Sequence, residues 1–297
     1  MAGPTTKEQQ SVTAHLLDLP GTKELYPRAT QSRFLELAGQ GKLPRHYLSQ
    51  WLSQDRLYAQ AYVRFIGGLT SLVELPLATA ARSQQQQQPG QRDTETSSTL
   101  EWRILEMLRG CLDNILRELK FFEDTAAQYG IDLASIGGGK QGHDVESAGS
   151  GDAFGPNGTT QGYINLFDSF GGRIRAAEAR VSGERLSDKM LLLKGLVVLW
   201  TTEKVYLDAW LYAAAAGGGD GTKDSNEDED GDALRMAFIP NWTSDEFKAF
   251  VEEIRVCLNQ FATRMQHEEG HEDVVTAASE VFKTVLSLEE GFWPKVE

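Results

Sequence analysis

The sequence predicts an all-α protein, a helical bundle, and three observations predict it. Apolar residues recur at three- and four-residue spacing over several long stretches, as on the buried faces of helices. No segment alternates with period two for long enough to make a strand. The helical stretches are separated by Gly-rich, Gln-rich or acidic runs that read as loop insertions. With 297 residues and 40% hydrophobic content, the chain can bury one large core.

In chain order, residues 1–27 form a mixed N-terminal segment in which Val12 to Leu19 can make a short helix ended by Pro20-Gly21. The helical domain occupies 28–297. Its first helix carries Phe34, Leu35 and Leu37 and stops at Gly39-Gln-Gly41; Pro44 then opens the next, which runs to about Leu75. On that helix Leu48, Trp51, Asp55, Tyr58, Tyr62 and Phe65 share a face. The Gln-rich stretch 83–98 reads as a disordered insertion. Leu100 to Tyr129 is helical, with Ile104, Leu108, Leu112, Ile115, Leu119 and Phe122 among its apolar positions. A second, Gly-rich insertion covers 136–158, after which Thr159 or Thr160 is expected to cap a helix bearing Tyr163, Phe167 and Phe170. Ser187 caps the most apolar helix, which extends to about Ala216. The acidic, Gly-rich stretch 217–232 reads as a third insertion and a solvated linker, since its spacing does not match an EF-hand loop. Thr243-Ser-Asp-Glu246 reads as a capping box opening the helix to Met265, and Glu272 to Trp293 forms the last helix.

Three of these helices each place one acid on an aromatic face. Asp55 lies with Trp51 and Tyr58, Glu203 with Tyr206 and Trp210, and Glu289 with Phe292 and Trp293. A carboxylate in such a stripe is costly to bury unless it is paired, hydrogen-bonded or protonated. In a bundle these faces converge on the core, where acids and aromatics together suit a flat heteroaromatic with N–H donors. Crowded acids there have pKa values pushed apart, leaving one as acid and one as base. The alternative is that Arg56, Arg64, Arg103 or Lys204 pairs with these acids in ordinary salt bridges.

Other features exclude or weaken further classes. A net charge of −14 argues against nucleic acid or an anionic membrane as partner. No apolar run spans a bilayer and the polar N-terminus holds no signal peptide, so the expected location is cytoplasmic. Cys111 and Cys257 read as free buried thiols. His267-Glu-Glu-Gly-His271 matches H-E-x-x-H literally, but Gly270 and the surrounding charges read as an exposed turn, so no metal site is expected there.

Against this background, Gly41-Lys-Leu-Pro-Arg-His-Tyr-Leu-Ser-Gln-Trp-Leu-Ser-Gln-Asp55-Arg-Leu-Tyr58 resembles a segment of the TenA family (thiaminase II, aminopyrimidine aminohydrolase). Trp200-Thr-Thr-Glu203-Lys-Val-Tyr206 is similar to the core helix of that family's cysteine-lacking, Glu-type branch. Ser287-Leu-Glu289-Glu-Gly-Phe292-Trp293 resembles its C-terminal E-x-x-F-W, and Gln161-Gly-Tyr163 and the segment opened by Pro240-Asn-Trp242 add weaker likenesses. The resemblance implies a haem-oxygenase-like helical bundle without haem and without any cofactor or metal. It implies hydrolysis of the C–N bond of an aminomethylpyrimidine or related thiamin breakdown product, for pyrimidine salvage, by a homo-tetramer. Asp55 would hold the aminopyrimidine ring, Tyr58, Tyr163, Tyr206 and Phe292 would frame it, and Glu289 would be the acid assisting the leaving amine. The better-known branch carries a nucleophilic cysteine one turn before the tyrosine, where this chain has Thr202; in the other branch a Glu matching Glu203 acts in its place. A non-catalytic binding or regulatory protein of the same fold is the alternative, and a metalloenzyme using His267 and His271 is a third reading.

Overall fold

The computed structural model describes residues 11–75, 99–135, 154–172, 187–218 and 228–297. Among these residues the regular structure is helical throughout. The helices are α1 (Val12–Leu17), α2 (Thr22–Thr30), α3 (Arg33–Gln40), α4 (Arg45–Thr70), α5 (Leu100–Tyr129), α6 (Gly158–Asp168), α7 (Asp188–Ala216), α8 (Ile239–Thr243), α9 (Asp245–Glu268) and α10 (His271–Phe292). A π turn, Leu234–Phe238, leads directly into α8.

Helix α7 is the centre of the bundle because it is apolar on nearly every side. Leu192, Leu193, Leu196 to Trp200, Val205, Ala209, Trp210 and Ala213 are all buried. It packs against α2, α3, α8, α9 and α10 and touches α4, which in turn packs on α5 and α6. Ser187 caps it as the sequence predicts, its hydroxyl accepting from the Met190 N–H at 3.1 Å. The approach of α3 to α7 requires a glycine: a Cβ on Gly39 would lie 1.8 Å from the Ala213 carbonyl oxygen.

Several boundaries differ from the sequence reading. The cap of α6 is Asn157, whose side chain accepts from the Thr160 N–H at 2.9 Å, and not Thr159 or Thr160. Asparagine two residues earlier does the same work because its backbone is extended there, whereas both threonines are already helical. Residues 154–158, assigned to the second insertion, are therefore part of the bundle; Gln54 pins them through the Gly155 carbonyl and the Asn157 N–H. Ser244, not Thr243, caps α9, accepting from the Phe247 N–H at 3.1 Å, while the Thr243 hydroxyl donates back to the Ile239 carbonyl within α8.

The end of the acidic stretch is not a solvated linker either. Asp228 pairs with Arg235, and Asp230 is fully buried and accepts from the Leu234 N–H at 2.8 Å. The stretch 83–98, residues 136–153 and residues 219–227 lie outside the described residues. Helices α1 and α2 pack into the core, with Leu16 and Ala29 fully buried, so residues 11–27 join the domain. Among the described residues no helix is long and apolar enough to cross a membrane. Cys111 and Cys257 are free and buried.

Candidate functional site

The three acids that interrupt aromatic faces meet in the middle of the bundle, and each is held by a tyrosine from another helix. Tyr206 on α7 donates to Asp55 on α4 at 2.8 Å. Tyr62 on α4 donates to Glu203 on α7 at 2.6 Å. Tyr163 on α6 donates to Glu289 on α10 at 2.5 Å. The first two pairs cross-link α4 and α7 in opposite directions; the third ties α6 to the C-terminal helix. A phenol can satisfy a buried carboxyl at one oxygen without neutralising it. Of the four cations named as alternatives, three go elsewhere: Arg64 pairs with Asp168, Arg103 with Glu253 and Lys204 with Asp208, while the buried Arg56 Nε has no hydrogen-bond partner.

Aromatic rings frame the acids. The Tyr58 ring lies 4.9 Å from that of Tyr163 and 5.6 Å from that of Phe292, and these last two are 5.8 Å apart. Tyr206 stacks on Trp293 at 5.8 Å and meets the Trp242 ring edge-on at 5.2 Å. Thr202 faces the Tyr58 hydroxyl from α7. Asp55 and Glu289 are 3% and 2% exposed, whereas Tyr58, Glu203 and Tyr206 keep part of their surface accessible. One oxygen of Glu289, Oε2, has no hydrogen-bond partner.

The environment sets the protonation. Burial pushes Glu289 up to about 8, against the opposing Tyr163 hydrogen bond and with help from the charges of Asp55 and Glu203. Burial pushes Glu203 up to about 7, opposed by Tyr62. Asp55 also rises to about 7 by burial, opposed by the Tyr206 hydrogen bond and reinforced by Glu203. Burial thus holds all three coupled carboxyls above the ordinary carboxylate range, so the cluster retains protons where exposed acids have lost theirs.

The structure brings together every residue singled out from the sequence: Asp55 and Tyr58 from α4, Tyr163 from α6, Glu203 and Tyr206 from α7, and Glu289 and Phe292 from α10. Two participants went unnoticed. Tyr62 was read only as a member of an apolar stripe. Glu118 on α5 was not singled out, although Cys111, Ile115, Glu118 and Phe122 repeat the spacing that exposes Glu203 on α7. It accepts from the Trp242 indole N–H, and burial together with the charges of Asp55 and Glu203 raises its pKa well above the carboxylate range. His267 ends α9 and His271 begins α10, with Gly270 at a φ of 107° between them, so the two do not share one helix face.

No family model matches the chain. A TenA homologue from Pyrococcus furiosus superposes with a TM-score of 0.59 at 20% identity, over 95% of this chain and 98% of its own. A TenA homologue from P. horikoshii gives a TM-score of 0.57 at 14% identity, over 96% of this chain and 99% of its own. The chain has the TenA fold. That fold is a haem-oxygenase-like helical bundle, so the architecture expected from the motifs is the one observed. Among curated proteins, one from Fusarium pseudograminearum (strain CS3096), described as a probable transcription factor, is 26% identical. The match takes in 97% of this chain, which spans 52% of that relative's length.

Proposed function

We propose that this chain is a TenA-family hydrolase that cleaves the C–N bond of an aminomethylpyrimidine, with no metal or organic cofactor. The observation that carries the reading is the convergence of Asp55, Glu203 and Glu289, each on its own helix and each held by a tyrosine rather than a cation. Asp55 takes the ring's amino group and nitrogen, with Tyr58, Tyr163, Tyr206 and Phe292 as the frame. Glu203 accepts a proton from water as the water oxygen bonds to the methylene carbon. The C–N bond breaks with its electron pair on nitrogen, and Glu289 gives that nitrogen its proton. The products are hydroxymethylpyrimidine and ammonia, and exchange with solvent resets both acids. The order of the two pKa values supports this division, because the group that must donate is the one that holds its proton more firmly.

Thr202 stands where a thiolate nucleophile would act, and its hydroxyl donates to the Val198 and Leu199 carbonyls, so the reading assigns it no attack. Incubation with thiamin and with aminomethylpyrimidine, followed by chromatography, tests the activity; hydroxymethylpyrimidine is expected from the latter. A homo-tetramer in the cytoplasm goes with this reading, and light scattering checks the assembly.

A second reading is a binding or regulatory protein that keeps the pocket without turnover. The description of the Fusarium relative as a probable transcription factor favours it. Binding of aminomethylpyrimidine without product, in wild type and in Glu203→Gln alike, would support it.

A further inference from the structure

Glu118 opens onto a surface cleft of about 340 Å³ between α5, α8 and the start of α9. That volume is at the small end of what ligand sites use. Its walls are Phe121, Trp242, Phe247 and Phe250, with Asn114 beside the carboxyl. At the rim Arg117 pairs with Glu246 at 3.1 Å, both well exposed, so the pair is weak and readily opened. The Trp242 indole N–H holds one oxygen of Glu118 and so fixes where the carboxyl points. The same indole meets Tyr206 edge-on, which makes Trp242 a wall shared by the cleft and the buried acids.

We propose that this cleft is a second small-molecule site, for a flat aromatic cation received by the Glu118 carboxyl beside the partly exposed Phe121 and Phe250 rings. The Glu118 carboxyl selects the sign: it can ionise against a bound cation and offers an anion no counter-charge. The Phe121 and Phe250 rings, each partly exposed in the cleft, select shape and add cation–π attraction. The site does not depend on catalysis in the core. Burial beside the other acids keeps Glu118 protonated, and an incoming cation restores its ionised form, so binding is coupled to release of a proton.

Calorimetry with benzamidinium, and with benzoate as the anionic control, tests the site on wild type, Glu118→Gln, Asp55→Asn and Arg117→Ala. Glutamine keeps the acceptor for Trp242 and removes the charge, and should weaken benzamidinium at least about tenfold. Asp55→Asn should leave its affinity within about threefold, because the residue lies across the shared wall. Arg117→Ala lies on the exposed rim, where folding is not at stake, and should tighten binding by about twofold or more through loss of a like charge. In wild type, the heat measured in phosphate and in Tris should differ by about one released proton. Equal binding of benzoate, an unaffected Glu118→Gln, no gain in Arg117→Ala or no proton release would overturn the proposal. So would a parallel loss in Asp55→Asn, which would make the cleft only the mouth of the core site. Hydrolysis is assayed separately, so its absence leaves this result standing.

Discussion

Two acidic regions of this molecule behave in opposite ways. The stretch ending in Asp228-Glu-Asp-Gly-Asp232 is where acids are densest in the chain, and its described end is a structural corner. Arg235 neutralises Asp228, the Leu234 N–H meets one oxygen of Asp230 while the other has no hydrogen-bond partner, and Gly231 and Asp232 turn the chain at φ values of 79° and 74°. The core acids are sparse in sequence, one per helix, and no cation is paired with them among the described ion pairs. In the polar stretch Asp228 finds a cation seven residues away. A single charge in an apolar stripe finds none, and its environment reshapes its chemistry instead.

The comparison is broken most forcefully by removing charge from each region in turn. Glu289→Gln, which keeps the Tyr163 contact, should lower kcat for aminomethylpyrimidine hydrolysis by about 10²–10⁴-fold with little change in thermal stability. Arg235→Ala should do the reverse. It strands the buried Asp228 and should cost about 1–3 kcal/mol in chemical denaturation, discounted because Arg235 is partly exposed, with kcat near wild type. If Arg235→Ala abolished turnover without loss of stability, the two regions would not be distinct.

The pH dependence separates the regions further. The folded pKa values of Asp55, Glu203 and Glu289 lie above their unfolded ones, so the native state binds more protons and their contribution to stability is greatest below about pH 4. It is lost as pH rises through about 7 to 8. Thermal melts between pH 5 and 8.5 should therefore show wild type losing more stability than Asp55→Asn. The kcat profile should be bell-shaped, rising as Glu203 ionises near 7 and falling as Glu289 deprotonates near 8. The smallest effect expected is that of Tyr62→Phe. Removing one donor to Glu203 should raise the ascending limb of that profile and cost about 1 kcal/mol in stability.

Much of this was legible in the sequence for a simple reason. In an all-α chain the helical period decides which side chains share a face, so an acid at Leu199 plus four, between Leu199 and Tyr206, announces itself. Helices α5, α7, α9 and α10 are legible nearly to their ends for the same reason, whereas α4, expected to run to about Leu75, ends at Thr70. The partners of the acids were not legible, because a tyrosine on a stripe looks like core until another helix is placed opposite it; Tyr62 is the example. Glu118 carried the same periodic signal as Glu203 and was masked by the many apolar neighbours of α5. The caps at Asn157 and Ser244 lie one to three residues from the expected ones, since several adjacent side chains could cap and only the backbone conformation chooses.

The most direct measurement is the yield of hydroxymethylpyrimidine from aminomethylpyrimidine by wild type and by Glu203→Gln, with ligand affinity measured alongside. Turnover by wild type, lost in Glu203→Gln while binding persists, is the predicted result. Equal turnover by the two proteins, or tight binding with no product from either, would contradict the account.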